Sequence, residues 1–317
     1  MLFAFAFLLA LHLICMNIAS AGPLAAVWLD WRAARGDAVA GRAARGLAIA
    51  ALLLFLVGMI LGAAQGMLLY DAGRLMRDVF GRLAYKIHWG LWELGFSLVL
   101  MIVYALWFRF RPEAGTAGRV VRSLLAVLAA ANLLYHFPPL FTIVSKVATG
   151  LNTHGSVIEA AEFRQLMLEP DVLAKWIHFA FASFAVTGAL LMLFAARWQR
   201  PGASETEQRG VQRLALFGGR LALIPTLLQI LVGVWLVTSL PSGEQQALMG
   251  GDLWATGLFG VSLLFALGLM HHLASAAVGQ TDRSTLLRAC LLMLLTILLM
   301  SGTLAALRPR VQTPETF

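Results

Sequence analysis

Four histidines of this 317-residue chain lie within apolar stretches: His12, His88, His136 and His178. Glu93 is the one acidic residue deep inside such a stretch. The sharpest case is KWIHFAF (175–181), where His178 stands one helical turn beyond Lys175. An imidazole or carboxylate in apolar surroundings costs free energy unless something binds it. Three chemistries use residues of this kind. Imidazole is the common axial ligand of haem iron in helix bundles, where inward faces carry it. It also ligates zinc, and together with a carboxylate it relays protons. Zinc has the least support, because no thiolate or carboxylate completes a tight set and no HExxH spacing occurs. Cys15 and Cys290 both lie in apolar runs, which rules out a disulfide scaffold and a Cys-rich metal site. Cys15 is one turn from His12 and reads as packing. A single such histidine reads as a side chain bonded to a neighbouring carbonyl. Four of them on four segments point to a bound group.

Helices must carry these residues. The chain is 60% hydrophobic and 13% charged, with mean hydropathy +0.80. Apolar runs of about 20 residues or more read as membrane spans. The pattern predicts an all-α membrane protein with eight transmembrane helices, at about 2–29, 46–70, 83–108, 119–143, 173–196, 212–239, 253–273 and 285–306. The first run has the small-residue end of a signal peptide. It lacks a basic start, however, and continues through PLAAVWLDW, so it reads as a retained helix. The connection 144–172, with Asn152, His154, Glu159, Glu162 and Arg164, is long for a bundle and reads as a short amphipathic helix over one mouth. In the sixth span Pro225 predicts a kink, and Gln229 is expected to bond across helices or to line a quinone pocket. Most tryptophans near span ends read as interface belts.

The connecting segments alternate in charge. Arg32, Arg35, Arg42, Arg45, Arg109, Arg111, Arg119, Arg122, Arg197, Arg200, Arg209, Arg213, Arg220, Arg283 and Arg288 all fall on one side. Six acids accompany them there: Asp30, Asp37, Glu113, Glu205, Glu207 and Asp282. The opposite side balances to zero. The net charge of +8 is therefore a topology signal and not a nucleic-acid surface. It places both termini outside, in the periplasm for a multi-pass protein of a Gram-negative inner membrane. In this orientation His12, His88, His136 and His178 all fall in the outer half of the membrane. His154 lies in an outer connection, and His271 and His272 sit at the inner end of span seven. His88 and Glu93 are five residues apart on one helix and share a face imperfectly.

The block FRQLMLEPDVLAKWIHFAFASFAVTGALL (163–191) resembles subunit I of the cytochrome bd quinol oxidases. Weaker likenesses are FLVGMILG (55–62), with its Phe-x-x-Gly-x-x-x-Gly, DVFGRLAYKIHWGLWELGF (78–96), and ALHLICMNIASAGPL near the amino terminus. The resemblance covers roughly residues 5–195. It implies haem b, with His178 as an axial ligand of the low-spin haem and His12 serving the haem pair of the oxygen-reducing site. The departures carry information too. At the family's first helix-three glutamate this chain has Ile87 with His88 beside it, so His88 is a candidate replacement ligand. The second falls near Gly95, two residues from Glu93. LWATGLFGVSLL (253–264) offers no methionine for the low-spin haem, and His136 has no counterpart. SLPSGEQQALMGGD (239–252) is far too short to be the family's quinol-oxidising loop.

The resulting expectation is a haem-binding electron-transfer subunit, with a five-span haem-binding bundle at 1–196 and three further spans and a short tail at 197–317. Its ligand and cofactor residues are His12, His88, His136, His178 and Glu93. Quinone is a second candidate cofactor. The candidate partners are other respiratory subunits and a periplasmic c-type cytochrome or iron–sulfur protein. The alternative is a cofactor-free transporter or proton-path subunit that uses the histidines and Glu93.

Overall fold

The computed structural model describes residues 2–69, 79–148 and 157–307. Among these residues it is all helix and turn, and eight segments are long and apolar enough to cross a membrane. The helices are α1 (Leu2–Ala33), α2 (Ala38–Leu69), α3 (Gly81–Phe110), α4 (Thr116–Tyr135), α5 (Phe137–Ala148), α6 (Ala160–Met167), α7 (Pro170–Trp198), α8 (Glu205–Thr238), α9 (Ser242–Gln246), α10 (Leu253–Ala277) and α11 (Arg283–Leu307). The α4–α5 pair makes up one span; α6 and α9 are short connectors.

The first run is a central helix of the bundle. α1 packs against α2, α4, α7 and α11, and its Ala10, Ala19, Ala21 and Ala26 are fully buried. Small residues let backbones approach, and in a membrane such packing replaces the hydrophobic drive. Closest of all is the crossing of α7 and α8. A Cβ on Gly188 would stand 2.5 Å from the Gly218 carbonyl oxygen and 2.6 Å from the Ala222 nitrogen. One apolar core runs from α1 through α7 and α8 to α11, so helices on both sides of residue 196 share it.

At the arginine-rich end, Asp30 of α1 receives two bonds of 2.8 Å from the Arg122 guanidinium of α4. Arg122 also donates to the carbonyls of Arg111 and Pro112, at 3.3 and 3.1 Å, and lies over the Phe108 ring. This fastens the α3–α4 turn onto α1. Trp31 donates to Ser123 Oγ at 3.0 Å beside it.

The fourth span differs from its expected unbroken form. α4 stops at Tyr135 and α5 begins at Phe137, with His136 at the joint. Pro138 and Pro139 follow, and neither has an N–H to give to the preceding turn. The carbonyl of Leu134, which Pro138 leaves without its helical donor, is taken by Trp176 Nε1–H at 2.6 Å. Trp176 therefore has a structural bond inside the bundle. Beside it, Lys146 pairs with Glu169 and with Asp171, the latter at 2.9 Å, and Lys175 lies 3.7 Å from Asp171. The expected amphipathic helix in the long connection is α6, which buries Phe163 and Leu166. Asn152 and His154 lie outside the described residues.

Candidate functional site

A hydrogen bond between α1 and α7 fixes the depth of two histidines. Ser183 Oγ donates to Asn17 Oδ1 at 3.0 Å. His12 and His178 each lie five residues before these partners on parallel helices, which puts both about 7.5 Å toward the same end. Five residues also rotate a side chain by about 140° from the seam, and on facing helices those directions are opposite. His12 meets α2, and His178 meets α8. The two imidazoles share a depth and face different helices.

His12 is held by two glycines of FLVGMILG. Its Nδ1 is 2.8 Å from the Gly58 carbonyl oxygen. A carbonyl can only accept, so the proton sits on Nδ1 and the Nε2 lone pair is left free. Gly62 makes room for the ring: a Cβ there would lie 2.8 Å from His12 Cε1. Gln65, one turn further along the same face of α2, is buried, and its Nε2 has no partner.

His88 follows the same rule on α3. Its Nδ1 lies 2.9 Å from the Ala84 carbonyl oxygen, which again leaves Nε2 open. The ring faces outward, beside Tyr85, Trp89, Trp92 and Phe96, along an open concavity of about 570 Å³. These rings are about half exposed or more, and Trp92 is 76% exposed.

Glu93 and His136 come together. Glu93 Oε2 lies 3.4 Å from His136 Nδ1, across the α3–α4 interface. Asn132 ties the same two helices, donating to the Glu93 carbonyl and to Ser97 Oγ, both at 2.8 Å. Glu93 thus turns away from His88 and toward the joint at His136. Sequence spacing could not show this pair, because its members are on different helices.

His178 is arranged the other way round from His12 and His88. Gln229 Nε2 lies 3.3 Å from His178 Nε2 and 3.3 Å from the His178 carbonyl oxygen. The amide donates to the ring nitrogen, so the proton is on Nδ1, which is buried without a partner. The expected cross-helix bond of Gln229 is present, and its partner is the central histidine.

Fit to a haem therefore varies from site to site. His12 and His88 present a free Nε2 with the proton anchored at Nδ1, the usual arrangement of a ligating imidazole. His178 has its Nε2 engaged. Among the described residues no three His, Cys, Asp or Glu side chains gather into a metal-holding group.

No family model matches the sequence, and no curated protein matches it. The fold is similar to a chain in the structure of bd oxidase from Geobacillus thermodenitrificans, with a TM-score of 0.71 at 15% identity. The match covers 96% of this chain and 88% of that one, so the likeness is not confined to the region around KWIHFAF. The protein is an eight-span helical membrane protein with a bd-oxidase-like fold.

Proposed function

We propose that this chain is a haem b-binding membrane subunit of a bd-oxidase-like respiratory complex. It would pass electrons between a quinone pool or a periplasmic redox partner and its haem, from the inner membrane with both termini outside. The fold likeness over 96% of the chain carries this reading. The preset imidazole of His12 supports it, because Gly58 and Gly62 leave space for the ring and anchor its proton. When bound, the haem iron supplies one-electron chemistry, tuned by its ligands and by burial. The chain's own residues fix the imidazole tautomers. His88 is a second candidate ligand; His136 and Glu93, 3.4 Å apart, are a pair suited to holding a proton near such a group.

Protein purified from haem-replete cells should be red and give a reduced-minus-oxidised b-type spectrum, with pyridine haemochrome giving the haem number. His12→Ala should remove at least one equivalent. A colourless preparation would sink the reading.

A cofactor-free subunit is the second reading, and one arrangement favours it. Gln229 bonds His178 and Glu93 lies 3.4 Å from His136, so these side chains already face partners within the chain itself. Such a subunit would use them as interhelical bonds or as a proton path.

A further inference from the structure

We propose that Gln229 withholds His178 from metal ligation, and that rotation of this one side chain decides whether His178 serves as an axial ligand. The second half rests on the haem reading above; the first does not.

An amide NH2 carries two hydrogens, and His178 offers two acceptors, ring Nε2 and backbone oxygen, each 3.3 Å away. One donor group matched to both acceptors fixes the amide orientation and the tautomer together. The lone pair that a metal would take points at the amide. The ring's own N–H is buried with nothing to receive it. A stranded donor beside an engaged lone pair is costly. His12 and His88 show the opposite arrangement on the same scaffold, with Nδ1 facing a carbonyl and Nε2 free. Two things differ at His178: the Gln229 amide of α8 engages Nε2, and no carbonyl receives the Nδ1 proton. Gln229 itself is only partly buried, so the amide is not locked in place by packing.

The test compares the full-length chain with Gln229→Leu and His178→Ala, all in nanodiscs. Solid-state NMR of histidine ¹⁵N reads the tautomer of His178, assigned by its loss in His178→Ala. Hemin titrated into haem-depleted protein reads ligation. Gln229→Leu should abolish the fixed Nδ1–H signature of His178. It should also tighten the His178-dependent part of hemin uptake about tenfold, ~1.4 kcal/mol, since the neutral hydrogen bond on Nε2 no longer competes. An unchanged tautomer in Gln229→Leu overturns the proposal. So does a wild-type protein that already binds hemin through His178 and gains nothing from the substitution. If both proteins refuse hemin, the haem reading falls and takes the ligation half with it. The tautomer shift alone then decides the clamp.

Discussion

The ion pair of Asp30 and Arg122 gives a prediction whose size can be worked from the structure. The Asp30 side chain is 6% exposed and that of Arg122 1%, and two bonds of 2.8 Å join them. Arg119 Nε stands 3.8 Å from Oδ1, one of the two oxygens that Arg122 bonds. Asp30→Asn leaves Arg122 as a buried cation with no counter-charge. Breaking one side of a buried pair in this way costs about 3–5 kcal/mol. Arg122→Met should cost less, about 2 kcal/mol, because the remaining carboxyl can take up a proton and still faces Arg119. The double variant Asp30→Leu, Arg122→Met removes both charges and keeps apolar volume. It should lie within about 2 kcal/mol of the native chain, since apolar replacement of a buried pair is often neutral. SDS titration followed by circular dichroism in mixed micelles measures all four corners of the cycle. If the double variant loses the sum of the two single losses, the residues act independently and the argument from a stranded charge is wrong.

Two further outcomes follow from other contacts. Trp176→Phe removes the donor on the Leu134 carbonyl and should destabilise by about 1–2 kcal/mol. Adding Pro138→Ala should recover part of that loss, because the new N–H can bond the same oxygen; the same titration reads it, and a double variant weaker than Trp176→Phe would contradict the assignment. Burial pushes the Glu244 carboxyl above its ordinary range, with Lys175 pulling it down and Asp171 pushing it up. The folded state then holds this proton more tightly than the unfolded state, so the charged carboxyl opposes folding above its folded pKa and the effect fades as pH falls through that value. Glu244→Gln should therefore raise the unfolding midpoint at pH 8 and raise it less at pH 4; an equal gain at both would remove the electrostatic cause.

The sequence by itself determined the membrane class, the eight helices and their approximate limits. Hydropathy over about 20 residues is a local property, and a bilayer allows few other ways to satisfy a backbone. It also singled out the candidate site residues, because a His or Glu inside an apolar run is conspicuous wherever it sits. FLVGMILG was legible only as a weak family likeness; that its glycines make room for His12 is a fact of the fold. What the sequence left open was direction. The depth of the four histidines could be read along the chain, but not the neighbour each one faces. The fold turns His12 toward α2, His178 toward α8, Glu93 toward His136, and His88 to the outer face. Rotation about each helix axis is set by packing: the α1–α7 bond at Asn17 and Ser183, and the backbone contact of α7 with α8 at Gly188. The proton position on each imidazole was equally out of reach. It depends on whether an acceptor carbonyl or a donor amide stands nearby, and for His178 that neighbour lies 51 residues along the chain.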